Sequence, residues 1–63
     1  MNFYITDQYG VTRSVLFIGT IQTSLRLYGL ARAARIIAIN FDTQQCTYQT
    51  VFGDEFTIFW SVE

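Results

Sequence analysis

From Ile36 to Val62 the hydrophobic pattern reads as three strands separated by two turns. Ile36-Ile37-Ala38-Ile39-Asn40-Phe41 is an apolar run, and Asp42-Thr43-Gln44-Gln45 turns it back. Cys46 to Phe52 then alternates, Gly53-Asp54-Glu55 turns again, and Phe56 to Val62 alternates to the end. Alternation at every second position marks a strand with two unlike faces, and strands joined by short turns make an antiparallel meander. On the middle strand Cys46, Tyr48, Thr50 and Phe52 share a face. On the last, Phe56, Ile58, Trp60 and Val62 share one, with Thr57, Phe59 and Ser61 opposite. The face of Ile58 and Trp60 is expected to meet a helix. The opposite face, with Phe59 and Val51 among Thr, Gln and Ser, is expected to look outward.

The first half supplies that helix and two more strands. Asn2-Phe3-Tyr4-Ile5-Thr6 is rich in aromatic and β-branched residues, and Asp7-Gln8-Tyr9-Gly10 stops it. Gly10 accepts positive φ where the chain reverses, so a hairpin into a second strand over 11–18 follows. Val11, Arg13, Val15 and Phe17 lie on one side of that strand; Thr12, Ser14, Leu16 and Ile18 lie on the other. Gly19 closes the strand, and Thr20 or Thr23 can cap a helix through its side-chain oxygen. Over 20–35 the stripe of Ile21, Leu25 and Tyr28, with Leu27, Ala31 and Ala34 close by, fits helical spacing. Arg32 and Arg35 fall in the last turn, where cations suit the negative end of the helix dipole.

Gly29 is the blemish in this helix, costing about 1 kcal/mol relative to Ala. It either lets the helix approach the sheet closely or splits the segment in two. A strand over Ser24–Tyr28 is the competing reading, but Gly29 to Arg35 is poor strand material. The predicted fold is therefore α+β in a single domain over 1–63. A β-hairpin, one helix and a three-stranded meander form a five-stranded, mainly antiparallel sheet with the helix packed on one face. Strands are expected near 2–6, 11–18, 36–41, 46–52 and 56–62.

Size limits how such a sheet is stabilised. A chain of 63 residues buries only about 60% of its unfolded surface, and small domains often offset that with disulfides, a metal or a partner chain. Cys46 is alone and forms no internal bridge, there is no His, and no Cys-x-x-Cys spacing is available for zinc. That leaves a partner chain. The four Tyr, six Phe and one Trp agree, because each buries about 150–250 Å² when enclosed and one small core cannot take them all. Several are therefore expected at the surface, where gathered aromatics mark an interface.

Charge narrows the partner. The net charge is −1, all four cations are arginines (Arg13, Arg26, Arg32, Arg35), and no acid lies between Asp7 and Asp42. Proteins that grip a phosphate backbone usually carry a clear cationic surplus, which this chain lacks. Apolar runs such as Val15-Leu16-Phe17-Ile18 fall far short of the roughly 20 residues that span a bilayer. The N-terminus has no basic region followed by an apolar stretch. A lone Cys fits a reducing compartment, and the cytoplasm is the expected location.

Catalytic readings find few residues to stand on. Without His or Lys, acid–base work near neutral pH would fall to a carboxylate, a Tyr or Cys46 with a displaced pKa. Cys46 has no His to activate it and reads as a small buried hydrophobe. Asp54 and Glu55 are adjacent acids in a turn and make an incomplete cation site. The glycines, at 10, 19, 29 and 53, are isolated and fit no phosphate-binding spacing. A helix-turn-helix can be drawn over Leu27 to Ala34, followed by a hairpin as in small phage repressors of the Cro type. The strand-like Val15–Ile18 stretch occupies the place of its first helix, so no residue carries across.

The expected function is a non-catalytic protein-binding module, without cofactor, metal or small-molecule substrate, that associates with itself and with another protein. Chains of this size occur among the accessory proteins of phages and mobile elements, which bind and block a host protein. Phe59, Val51 and Tyr48, with Arg32 and Arg35, are the candidate partner-binding residues. Association is expected either at a sheet edge, where no Pro or Lys discourages pairing, or across the outer face around Phe59. The alternatives are a single-stranded nucleic-acid or RNA binder using Arg32, Arg35 and exposed aromatics, and a structural subunit of a larger assembly.

Overall fold

The computed structural model describes residues 1–63. The strands are β1 (Phe3–Thr6), β2 (Thr12–Val15), β3 (Ala34–Asn40), β4 (Gln45–Thr50) and β5 (Glu55–Val62), with one helix, α1 (Ile21–Leu30), between β2 and β3. They form one sheet in the order β2-β1-β5-β4-β3, and every neighbouring pair is antiparallel. The fold is α+β, as the alternation predicts. The hairpin joins the meander through its first strand: Phe3 pairs with Val62 and Thr6 with Phe59. Asn2 and Glu63 exchange backbone hydrogen bonds of 2.7 and 2.8 Å and extend this seam to both termini.

The inward face follows from the register. Phe3 and Ile5 of β1 align with Val62 and Trp60 of β5, Ile58 with Cys46, and Tyr48 with Ile36. Phe3, Ile5, Cys46, Tyr48, Ile58 and Trp60 join Leu25 of α1 and Ala34 in the buried core. The Trp60 ring meets Phe41 edge-on at 5.6 Å. Cys46 is buried in this core as a free thiol. No helix is long and apolar enough to cross a membrane.

Three element boundaries differ from the sequence expectation, each for a local reason. The helix ends at Leu30 rather than near 35. The backbone N–H groups of Arg32 and Ala33 donate to Gly29 and Leu30 in a tightening turn, and Ala33 takes φ 52°. That reversal feeds Ala34 into the sheet opposite Thr50, where pairing with β4 outweighs the helix preference of Ala and Arg. Arg32 therefore lies beyond the helix, and Arg35 lies on a strand.

The second strand stops at Val15. Leu16 to Ile18 leaves the sheet, and Phe17 folds back edge-on to Phe3 at 5.8 Å. The fourth strand stops at Thr50, whose hydroxyl accepts from the N–H groups of Phe52 (3.3 Å) and Asp54 (3.2 Å). With Gly53 at φ 89°, these bonds make a turn that takes Val51 and Phe52 out of the strand.

The start of α1 combines two hydroxyls. Thr20 is the cap and accepts from the Thr23 N–H at 3.0 Å. Ser24, itself buried, accepts from the Ile18 N–H at 2.8 Å and donates to the Thr20 carbonyl at 2.8 Å. One side chain thus ties the departing β2 segment to the helix. Gly29 does not split the helix. It faces the Tyr48 ring, and a Cβ there would lie 2.7 Å from Tyr48 Cε2. The glycine is what permits that close approach.

Candidate functional site

The sheet has one covered and one bare face, and the cover is incomplete. A helix is about 10 Å across while strands are spaced about 4.8 Å apart, so one helix shields about two strands of five. Here α1 sits over the β3–β4 side: Tyr48 donates its hydroxyl to the Leu25 carbonyl at 2.7 Å, and Gly29 lies against both Tyr48 and Ala34. Between α1 and the β1–β2 hairpin a cleft of about 810 Å³ remains. Leu27, Tyr28, Ala31 and Arg32 line its helix side, the 7–11 turn and Arg13 line its hairpin side, and Ile5, Val15 and Phe56 form part of its wall. Part of the reason is register. The pairing of β1 with β5 ends at Thr6 and Phe59, while β5 runs on to Glu55.

Two arginines face this cleft, and Arg32 has only neutral partners. Its guanidinium lies 3.6 Å from the centre of the Tyr28 ring, and Nη1 donates to the Tyr28 carbonyl at 3.2 Å. Arg13 lies opposite Ile5 on β2 and is exposed. The acid of the cleft, Asp7, accepts the Tyr9 and Val11 N–H groups at 2.8 and 3.0 Å and so holds the hairpin turn. Around the rim Tyr9 is 81% exposed and Leu16 75%. An apolar trough bordered by two guanidinium groups suits a ligand that is hydrophobic in the middle and acidic at its edge.

The predicted partner-binding residues do not form one patch. Phe59 lies half-exposed on the bare face of the sheet, among Thr6, Gln45, Thr47 and Thr57. Val51 is exposed but sits on the β4–β5 turn, lining a small hollow with Leu30 and Ala33. Tyr48 is the correction: it is fully buried, stacked on Phe56 at 5.1 Å with its hydroxyl bonded to Leu25, and no partner can reach it. The inward register of Cys46 and Ile58 places it there. Arg35 extends over the bare face and donates to Gln49 Oε1 at 2.9 Å, whereas Arg32 belongs to the cleft on the other face. The two arginines are therefore on opposite sides of the sheet.

Sequence reasoning missed the cleft, although one signal for it was available. Arg13 shares the inward side of β2 with Val15, and a cation on an inward-facing position marks a place where the core opens. The sheet edges are also less inviting than their composition implies. The β2 edge has only four residues, and β3 carries a register shift between Ile36 and Ala38 that breaks its regularity.

In the core, burial pushes the Cys46 thiol above its ordinary value, and the neighbouring Tyr48 partly offsets this. Burial likewise pushes the Tyr48 phenol up, with Cys46 adding to the rise. Both groups stay protonated and neutral at physiological pH. No group of three or more His, Cys, Asp or Glu side chains is assembled anywhere in the fold.

The fold and surfaces define a two-layer α+β protein with an open cleft on its helix-covered face. Family models, curated proteins and solved structures give no match to this chain, so its reading rests on its own geometry.

Proposed function

We propose that this chain is a non-catalytic protein-binding module that associates with itself and presents the same kind of apolar surface to another protein. One observation carries the reading. Eight hydrophobic residues make up the buried core, while twelve large hydrophobics stay exposed. A monomer in water rarely leaves apolar side chains gathered in this way, and covering them is a driving force for association. Five of the twelve, Tyr9, Val11, Leu16, Ile18 and Leu27, line the single cleft between α1 and the hairpin.

Sedimentation velocity or light scattering across a concentration series tests the proposal. The expected result is a mass that rises from one chain toward two within the micromolar range. A strict monomer at high micromolar concentration refutes self-association. The nucleic-acid alternative is not favoured by geometry, because Arg32 and Arg35 serve opposite faces. A mobility shift at low salt, where electrostatic attachment is strongest, is expected to show no complex.

A further inference from the structure

The geometry points to a reciprocal dimer in which the β4–β5 turn of each copy, led by Phe52, enters the cleft between α1 and the β1–β2 hairpin of the other. In that dimer Asp54 of each turn meets Arg13 and Arg32 of the opposite cleft. The inference rests on the self-association proposed above and specifies its surface.

Complementary chemistry within one chain is the first argument. Phe52 is 89% exposed and Val51 76%, at the tip of a turn that Gly53 and the Thr50 hydroxyl fix. The next residue, Asp54, is an exposed acid, whereas Glu55 opens β5 opposite Gln49 and so faces the bare side of the sheet. The turn is thus an apolar tip with an acidic flank. The cleft is its counterpart: an apolar trough with Arg13 on one wall and Arg32 on the other. Arg32 has only the Tyr28 ring and carbonyl for company, so a carboxylate would give it a charged partner that it lacks. Arginine and aromatic residues are also the side chains that dominate interface energies.

Placement is the second argument. Thr50 and Phe56, which flank the turn in sequence, both line the cleft. Donor and acceptor therefore adjoin on one end of the molecule. Where a projection and its complementary recess adjoin, a two-fold rotation sets each projection in the partner's recess, and the contact closes at two copies. Had turn and cleft lain at opposite ends, the same complementarity would have led to open chains of molecules. An acidic, aromatic segment of an unrelated protein would find the same cleft attractive, but this chain already supplies one.

Charge exchange tests the inference without disturbing the core, since all three residues are exposed. Arg13→Glu with Arg32→Glu makes a cleft variant, and Asp54→Lys makes a turn variant. Circular dichroism checks that both fold, and sedimentation velocity measures association. Each variant alone sets like charges against each other and is expected to dimerise about 10-fold or more weakly than the parent chain. In an equimolar mixture both clefts meet turns of opposite charge, so heterodimers are expected to form about as tightly as the parent dimer. Phe52→Ser is expected to weaken the dimer by about 10-fold or more.

Recovery in the mixture supports the reciprocal contact. Either of two results overturns it while leaving self-association standing: variants that dimerise like the parent chain, or variants that stay monomeric even when mixed. A parent chain that is itself strictly monomeric refutes the self-association reading, and this inference with it.

Discussion

Replacing Gly29 with alanine tests how closely the helix is set on the sheet, because two effects of opposite sign compete. At an ordinary helical position Gly→Ala stabilises by about 1 kcal/mol. At Gly29 the new Cβ would lie 2.7 and 2.8 Å from Tyr48 Cε2 and Cδ2, and 2.9 Å from the Ala34 carbonyl oxygen. Carbon atoms in good contact are about 3.5–4.0 Å apart, so something must move.

Tyr48 is poorly placed to do so. Its ring is stacked on Phe56 at 5.1 Å, leans on Tyr28 at 5.9 Å, and is tethered by its hydroxyl to Leu25 at 2.7 Å. Ala34 is fixed by its pairing with Thr50. Overpacking of this kind costs about 1–3 kcal/mol, and a strained Tyr48 hydrogen bond adds about 1 kcal/mol. Set against the helical gain, the net change is a loss of about 1–3 kcal/mol. For a domain of this size that lowers Tm by about 5–20 °C.

Thermal and urea unfolding followed by far-ultraviolet circular dichroism measure the change. The same substitution in a Tyr48→Leu background removes the ring that the methyl group would strike, so there alanine should be less damaging than in the parent chain. A Gly29→Ala protein as stable as the parent, or more so, would refute the close-packing argument.

Two further predictions concern the core and its edge. Ser24→Ala removes the acceptor of the Ile18 N–H and the donor to the Thr20 carbonyl, and is expected to cost about 1–3 kcal/mol in urea unfolding; a change within error would mean that water replaces the hydroxyl freely. Alkaline pH is expected to destabilise the fold. The folded-state pKa of both Cys46 and Tyr48 is raised above the ordinary 9.0 and 10.0, so the unfolded chain loses these protons first. Their contribution is intact below pH 9.0 and declines as pH rises through 9.0 and then 10.0. Urea midpoints across this range should fall, and Tyr48→Phe should flatten the upper part of the decline. A midpoint independent of pH would refute the assignment.

How much of this could be read from the chain depends on whether local pattern or distant pairing decided each feature. Strand identity was legible in β1, β4 and β5 because one face of each is buried, which forces alternation: Cys46 and Tyr48, like Ile58 and Trp60, had to point the same way. A threonine cap, at Thr20 or Thr23, and the reversal at Gly53 were legible because each is set by residues within a few positions of it; the structure makes Thr20 the cap. The helix end was not. Ala31 to Arg35 reads as helix by propensity, yet Ala34 and Arg35 pair with Thr50 and Gln49, residues that a local reading does not bring near. Tyr48 was misplaced as a partner-binding residue for a related reason. Its aromatic character says that it belongs at an apolar contact, but only the register says that the contact is α1. The cleft was illegible because it is a gap, formed where one helix fails to cover five strands and where β5 outruns β1.

That gap ties the fold to the proposed function. A second helix over β1 and β2 would cover the trough, but the one helix of this fold lies over the β3–β4 side. Phe17 takes up part of the deficit by folding onto Phe3, and the rest stays open to water. Under the proposed association Arg13 and Arg32 would make the trough selective, since an apolar group without an acidic flank would leave both guanidinium groups without a charged partner. A closed core would need neither arginine. In the proposed dimer these two groups are what the partner's turn would recognise, so reversing their charges, rather than trimming the apolar wall, is the more telling perturbation.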